Sequence, residues 1–126
     1  MKKEIIICSI IIVSIITGDI FLQKYTNKSL TNINEELSII KEEIKQMDNF
    51  GMEKIKEIDN KWESNLNYLS CYLEHDELEK VESQLVIIYS GMETEDKEYV
   101  LQEIDRAIYL IDHIEKKQML KIDNIL

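Results

Sequence analysis

His75 and His113 are the residues of this chain with which metal chemistry would have to begin. A metal site inside a helical bundle typically takes a Glu-x-x-His sequence from two of the helices, so that both side chains point inward. Here Tyr72 stands three residues before His75, and Leu110 stands three residues before His113, so neither histidine has the required glutamate. The spacing therefore predicts no metal ion and no cofactor.

The segment "EHDELEKVE" around His75 is dense in ionisable side chains. As a helix it carries a histidine and two glutamates along one side, at steps of four and three residues. We interpret it as a helix junction with exposed acids rather than as a metal site. Two tyrosines just before it lie off the apolar face of their own helix. Together these side chains form our candidate interaction surface: Tyr68, Tyr72, His75, Glu79 and Glu82.

The sequence contains no arrangement of residues typical of an enzyme. Three glycines leave no glycine-rich phosphate loop, and the two cysteines do not form a Cys-x-x-Cys pair. With 25 acidic residues, a glycosidase-like pair of carboxylates could be drawn almost anywhere and has no specificity. We therefore predict a protein that is not an enzyme, with no catalytic residues and with Cys8 and Cys71 as free thiols.

A long apolar stretch opens the chain. Ile5 to Leu22 is eighteen residues with one charge, at Asp19. As a helix it would span about 27 Å, close to the hydrocarbon core of a bilayer at about 30 Å. The sequence thus predicts a membrane anchor over Ile5 to Leu22, with Phe21 and Tyr25 at the membrane interface.

A removable export signal is the alternative, because two lysines followed by a short apolar core are its usual form. The cleavage site would be poor, since the cut would follow Gly18 with bulky Ile16 three positions from the bond. Lys2 and Lys3 favour a cytoplasmic N-terminus and an extracytoplasmic body. We therefore predict a single-pass protein of the cell membrane, or a secreted one if the signal is cleaved.

Charge separates the two parts of the chain. The net charge is −10; residues 1–26 carry three basic and two acidic groups, which leaves −11 for the rest. That sign repels phosphate backbones, so we expect no nucleic-acid partner. We divide the chain into an anchor with a short cytoplasmic tail, 1–26, and an acidic extracytoplasmic helical domain, 27–126.

Apolar residues of the body recur at steps of three and four, which predicts helices. With no proline, and with short links between segments, the fold class is all-α: an N-terminal transmembrane helix followed by a small antiparallel bundle of about four helices. Trp62 is expected in the core. The predicted core stripes are Ile33, Leu37, Ile40, Ile44 and Met47; Met52, Ile55, Ile58, Trp62, Leu66, Leu69 and Leu73; Leu78, Val81, Leu85 and Ile88; and Leu101, Ile104, Ile108 and Ile111, widened by Val100, Ala107 and Ile114.

Polar residues between the stripes predict the helix ends. The segment "TNKSLTN" is interpreted as a linker after the anchor, and Asp48-Asn49-Phe50-Gly51 and His75-Asp76 as breaks. Gly91 suits a helix C-terminus. The predicted N-caps are Asn32, Asp76 and Thr94, and Lys116 and Lys117 are placed in the last turn of the last helix. The tail "MLKIDNIL" is expected to pack back on the body.

With these features in hand, the chain resembles a bacterial family known as domain of unknown function 4363. The similar features are the lysine-led apolar start, Trp62 in the second body helix, "HDELEKVESQL" at 75–85 and the ending "IDHIEKKQMLKIDNIL". The resemblance implies an N-terminal membrane helix and a helical body, and it implies no activity. It also suggests a neighbouring integral membrane protein as a partner.

The leading hypothesis is a membrane-tethered, non-enzymatic interaction module that binds an integral membrane protein or forms a homo-oligomer. The alternative is an extracytoplasmic sensor that binds a cation or small ligand through its acidic helices. The first follows from the anchor and the helical stripes, and the second from the acids near His75.

Overall fold

Four helices make up the part of the chain that this computed structural model describes: residues 1–47 and 52–125, with the side chains of 1–46 and 52–120. They are α1 (Lys2–Met47), α2 (Met52–Tyr72), α3 (His75–Glu93) and α4 (Lys97–Ile125). The described residues contain no strand, so the all-α prediction is confirmed. The predicted break at 48–51 lies outside the described residues.

The helices run up, down, up and down. α1 packs against α2 and α4, and α3 packs against the same two helices, which closes a four-membered antiparallel bundle. The upper part of α1 is one of the four, so the predicted apolar N-terminal helix and helical bundle are confirmed. Short connections favour this arrangement because each helix then buries its stripe against the helix that follows it.

α1 is a single helix of 46 residues, about 69 Å long, that runs from the apolar start into the bundle. The predicted linker "TNKSLTN" is therefore wrong, and so is the predicted N-cap at Asn32, which lies inside the helix. No proline or glycine stands between Gly18 and Gly51 to break the helix. Thr26 and Leu30, both within the expected linker, are buried, and this packing stabilises the helical conformation.

The predicted stripes supply most of the core. Trp62 is fully buried, as expected, and every stripe residue of α3 is buried. On α4 the centre of the buried face is shifted, because Val100 and Ala107 are fully buried while Leu101 and Ile108 are only partly so. The remaining buried apolar residues of the described core are Leu30, Ile33, Leu37, Ile40, Ile44, Ile55, Ile58, Leu69, Leu73, Met92, Ile104, Ile111 and Ile114.

The turn between α2 and α3 falls at residues 73–74, two residues before the predicted break at His75-Asp76, and its cap also differs. α3 begins at His75 with Glu74 as its N-cap residue, in an extended conformation and without a side-chain cap hydrogen bond. Asp76, the predicted cap, lies in the first turn instead. At the C-terminus of α2, the Tyr72 carbonyl oxygen accepts a 2.8 Å hydrogen bond from Gln118 Nε2 of α4.

The end of α3 also differs from the prediction. Gly91 lies inside the helix and is buried, because α4 approaches so closely that a Cβ there would lie 2.9 Å from a methyl of Val100. Thr94 is the C-cap of α3, not the N-cap of α4, and its hydroxyl donates to the Gly91 carbonyl at 3.0 Å. Glu95 follows with a positive φ of 56°. Asp96 then accepts from the Tyr99 backbone N–H at 3.3 Å and caps α4.

α4 continues to Ile125, well beyond its predicted end. Lys116 and Lys117 therefore lie in its interior, where Lys117 pairs with Glu77 of α3 rather than with the carbonyls of a last turn. The expectation that the tail packs on the body is wrong for its two described side chains, because Met119 and Leu120 are exposed. The helix continues because no glycine or proline interrupts it.

Candidate functional site

The first part of α1 is apolar around its whole circumference and packs against nothing else in the described chain. The nine isoleucines and valines between positions 5 and 16 are each 52% to 66% exposed. By length and composition, α1 is the one helix of the described residues that could cross a membrane. An α-helix that is apolar on every side requires burial in a core or a bilayer.

One end of the bundle lies near Asp19, where the apolar part of α1 enters the bundle and first contacts α2. We call this region the lower end of the bundle; it comprises residues 19–25 of α1, 68–74 of α2 and the following turn, and 117–120 of α4. Tyr72 Oη donates a 2.8 Å hydrogen bond to Asp19 Oδ1, and the rings of Tyr25 and Tyr68 meet edge to face at 5.9 Å. These contacts join two segments that lie about fifty residues apart in the sequence.

Asp19 is the one charged residue of the predicted anchor, and both of its carboxylate oxygens accept hydrogen bonds. Oδ1 accepts from Tyr72, and Oδ2 accepts from Gln23 Nε2 at 3.1 Å. Burial of the Tyr72 hydroxyl, and then its hydrogen bond to Asp19, raise the pKa of Tyr72 to about 12. The hydroxyl therefore stays protonated at neutral pH and remains a donor to the carboxylate.

The turn and the end of α4 complete the lower end with ion pairs. Lys117 Nζ lies 3.2 Å from a Glu74 carboxylate oxygen and 2.8 Å from one of Glu77. These two hydrogen-bonded carboxylates raise the pKa of Lys117. His75 Nε2 lies 2.8 Å from Glu79 Oε1 on the surface. Most of the charged groups at this turn are thus paired within the bundle.

The five residues of the candidate interaction surface fall into two groups. Tyr68 and Tyr72 contact α1 at the lower end, and His75 pairs with Glu79 in the first turns of α3. Glu82, half-buried, lies about one turn further along α3. The described residues show no hydrogen bond or ion pair between the tyrosines and the α3 group, so the surface as a binding site stays a prediction.

Three residues important to the lower end could not be identified from the sequence. In the sequence, Asp19 is only a charged residue inside an apolar run. No nearby residue indicates that Asp19 contacts Tyr72. The sequence predicts Met119 and Leu120 in a tail that packs on the body. In the structure both side chains are exposed, next to Gln118, which donates a hydrogen bond to α2. The signal that would have placed them is the antiparallel register of α4 against α1, set by contacts such as Asn34 to Ile108.

The interior of the bundle also holds a polar pair that joins two of its helices. Between α3 and α4, Gln84 Nε2 donates to the Glu103 carbonyl oxygen at 2.9 Å and to its carboxylate at 2.5 Å. Arg106 lies 3.7 Å from the same carboxylate. This pairing keeps a buried carboxylate hydrogen-bonded, and it stabilises the contact between the two helices.

Cofactor and metal candidates are few in the described part of the chain. No group of three or more histidine, cysteine, aspartate or glutamate side chains there could hold a metal ion. Cys8 and Cys71 are both free and exposed. A groove of about 290 Å³ lies between α2 and α3, and Lys56 stands over the Tyr89 ring at its edge, 5.4 Å from the centroid. Nothing in the structure indicates an occupant for this groove.

Comparison with known protein families finds a model that matches most of the chain. The model of the family described as "Domain of unknown function (DUF4363)" matches residues 20–125. The match begins next to Asp19, where α1 joins the bundle, and covers the bundle part of α1 and the whole of α2, α3 and α4. No curated protein and no solved structure matches the chain.

Proposed function

Because the chain belongs to the DUF4363 family, as its model over residues 20–125 establishes, and because that family has no assigned activity, we propose a function from the geometry. The protein is a membrane-tethered helical interaction module. Its apolar N-terminal helix anchors it in a bilayer, and its acidic bundle binds an integral membrane protein or a second copy of the chain.

The observation that carries this proposal is the exposure of the apolar part of α1. Thirteen consecutive residues, 5–17, carry no charge and have no packing partner among the described residues. Burying a helix of this kind in lipid removes its apolar surface from water without any rearrangement of the bundle. The nine isoleucines between positions 5 and 22 contribute about −0.5 kcal/mol each, or roughly 4–5 kcal/mol in favour of insertion.

The partner-binding part of the proposal is supported by how the bundle is made. Ion pairs join its helices to one another, such as Lys41 with Asp105 and Lys61 with Glu36. α1 joins the tether to the bundle core without a break, so a partner bound at the bundle is held at a fixed height above the membrane. A neighbouring membrane protein is the partner that such a fixed height suits best.

The anchor is tested with a pair of matched variants of the full chain. In Ile10→Arg with Ile11→Arg, two charges at the middle of the helix cost about 5–7 kcal/mol, which exceeds the gain from the isoleucines. In Ile10→Leu with Ile11→Leu the apolar character is kept. Neither position contacts the bundle, so both variants fold alike. We expect the wild type and the leucine variant to float with vesicles on a density gradient, and the arginine variant to stay behind.

Partner binding is tested in membranes that express each of these three forms. After chemical crosslinking and detergent extraction, the wild type and the leucine variant are expected in species heavier than the monomer, and the arginine variant as monomer. Recovery of the membrane-bound wild type only as a monomer would contradict the interaction module while leaving the anchor intact. Equal flotation of the arginine variant would contradict the anchor itself.

The proposed topology has its own test. Tyr109 is 69% exposed on α4, far from the lower end, so a cysteine there reports on the bundle. In a Cys8→Ser, Cys71→Ser background, Tyr109→Cys should react in intact cells with a thiol reagent that cannot cross membranes. Reaction only after permeabilisation would place the bundle in the cytoplasm and reverse the proposed orientation.

The sensor hypothesis requires a cation or small-ligand site, and no specific observation in the described residues favours one. Its clearest candidate, the His75 and Glu79 pair, lies on the surface with both side chains largely exposed.

A further inference from the structure

The length of α1 that is free of the bundle is too short to cross a bilayer alone. Contacts with α2 begin at Asp19, so the free apolar segment is 5–18, about 21 Å of helix. A hydrocarbon core measures about 30 Å. Residues 19–22 add about 6 Å of helix, about two-thirds of the difference, and they belong to the lower end of the bundle. A bilayer that covers the whole apolar segment therefore reaches the lower end of the bundle.

The antiparallel register brings α2 and α4 to the same height. Tyr72, at the end of α2, bonds to Asp19, while Gln118 of α4 bonds to the Tyr72 carbonyl. The lower end thus presents side chains from three helices at one level around α1. Its exposed apolar and aromatic members are Phe21, Leu22, Tyr25, Tyr68, Met119 and Leu120.

These side chains are of the type found at membrane interfaces. Tyrosine is enriched there because its ring can lie among acyl chains while its hydroxyl remains in the polar layer. Tyr25 and Tyr68 are about half exposed, and Phe21 and Leu120 are 69% and 64% exposed. No other helix end of the described bundle meets an apolar segment that needs lipid. Continuity with the apolar part of α1 thus indicates which partner covers this surface.

The charged groups of the lower end are compatible with such a position. The Asp19 carboxylate is hydrogen-bonded on both oxygens, and Glu74 and Glu77 share Lys117. Paired charges of this kind belong in the polar headgroup layer, which is several ångströms thick on each side of the hydrocarbon. The net charge of −11 on the bundle favours zwitterionic over anionic headgroups.

We propose that the lower end of the bundle is seated in the headgroup layer of the bilayer, as a second membrane contact beside the anchor. The inference rests on the proposed membrane anchor and specifies how the bundle stands on it. The bundle is not suspended above the membrane on a linker. Tyr68, one of the candidate interaction residues, thereby acts in membrane contact, and its partner is a lipid surface, while Tyr72 holds α2 to α1 at this level.

The test places fluorescent labels on the full chain in phosphatidylcholine vesicles. Cys71, exposed on α2 at the lower end, is the single site in Cys8→Ser. Leu120→Cys and Tyr109→Cys, each made in Cys8→Ser, Cys71→Ser, provide a second lower-end site and a control. Tyr109 lies about 16 Å from Leu120 along α4, away from the lower end. In the wild type its side chain is 69% exposed, close to the 64% of Leu120.

Two quenchers report the depth of each label: one is attached to the lipid headgroups and the other is dissolved in the water. We expect labels at Cys71 and Leu120→Cys to be quenched by nitroxides attached to lipid headgroups, and to show a several-fold lower quenching constant for aqueous iodide than Tyr109→Cys. Equal iodide quenching at all three sites in vesicles that carry the protein would overturn the seating and leave the anchor standing. Failure of the protein to float with the vesicles would overturn the anchor, and the seating with it.

Discussion

Gly91 lies at a close contact between α3 and α4, and its missing side chain permits that contact. A Cβ at this position would lie 2.9 Å from Val100 Cγ2 and 3.0 Å from Tyr99 Cδ1. Val100 is fully buried, and valine in a helix has one strongly preferred rotamer, so it cannot turn aside. Overpacking of this kind typically costs about 1–3 kcal/mol, against a gain of about 1 kcal/mol in helix propensity.

We therefore predict that Gly91→Ala lowers the free energy of unfolding of the bundle by about 1–2 kcal/mol. Urea unfolding followed by circular dichroism measures the change. Gly18→Ala is the matched control, because nothing lies within 4 Å of its added Cβ. If Gly91→Ala were as stable as Gly18→Ala, the close approach of α4 would be wrong.

Tyr72 connects stability to alkaline pH. Its pKa is raised from 10.0 to about 12 in the folded protein, first by burial and then by its hydrogen bond to Asp19. A raised pKa means that the folded state holds the proton more tightly than the unfolded state. The stabilisation is therefore complete below about pH 10 and is lost as the pH rises from 10 towards 12.

Tyr72→Phe removes this titration, so its melting temperature should fall less steeply than that of the wild type across that window. Lys61, Lys116 and Lys117 also have raised pKa values, and they lose their partners' stabilisation in both proteins alike. The difference between the two melting curves, measured at a series of alkaline pH values, isolates Tyr72. Parallel curves would show that its hydroxyl does not make the contact with Asp19.

At the scale of the elements, the continuity of α1 is the feature with the widest consequences. Its middle section looks polar in sequence, but Thr26 and Leu30 face the interior and hold the helix against its neighbours. Hydroxyls of this section, such as Ser29 and Thr31, donate to carbonyls four residues earlier and so do not interrupt the helix. The apolar start of the chain and the first bundle helix are consequently one continuous helix.

Lys28→Pro tests this continuity at an exposed position of α1. A proline inside a helix removes a backbone hydrogen bond and clashes with the preceding turn, at a cost of about 3 kcal/mol or more. We expect a loss of helical circular dichroism and a lower melting temperature, whereas Lys28→Ala should leave both nearly unchanged. A flexible linker at this point would tolerate the proline, so equal behaviour of the two variants would contradict a continuous α1.

At the scale of the whole molecule, the antiparallel closure of four helices determines which side chains surround the apolar part of α1. Lys41 of α1 pairs with Asp105 of α4 at 2.5 Å, and Lys61 of α2 pairs with Glu36 of α1. These pairs are partly exposed and add little stability individually. These ion pairs are consistent with the helix register that the core packing also sets. That register brings Tyr72 of α2 and Gln118 of α4 to the level of Asp19. The label positions in vesicles are the measurement at this scale.

The sequence by itself determined the helices, their buried stripes and the apolar start. Trp62 is buried, and every stripe residue of α3 lies in the core. Apolar residues at steps of three and four lie on one face of a helix, and that face is the one that packs in the core. Hydropathy alone likewise identified the segment of α1 that could span a membrane. These properties depend on residues close together in the chain.

Only the tertiary structure decided where helices end and which distant residues meet. Gly91 reads locally as a helix terminus, but α4 packs against it inside α3. "TNKSLTN" reads locally as a linker, but the burial of Thr26 and Leu30 keeps it helical. Tyr72 could be recognised as lying off the apolar stripe, yet its contact with Asp19 arises from the register of α1 against α2. Contacts between residues far apart in the chain outweigh local preferences of about 1 kcal/mol per residue.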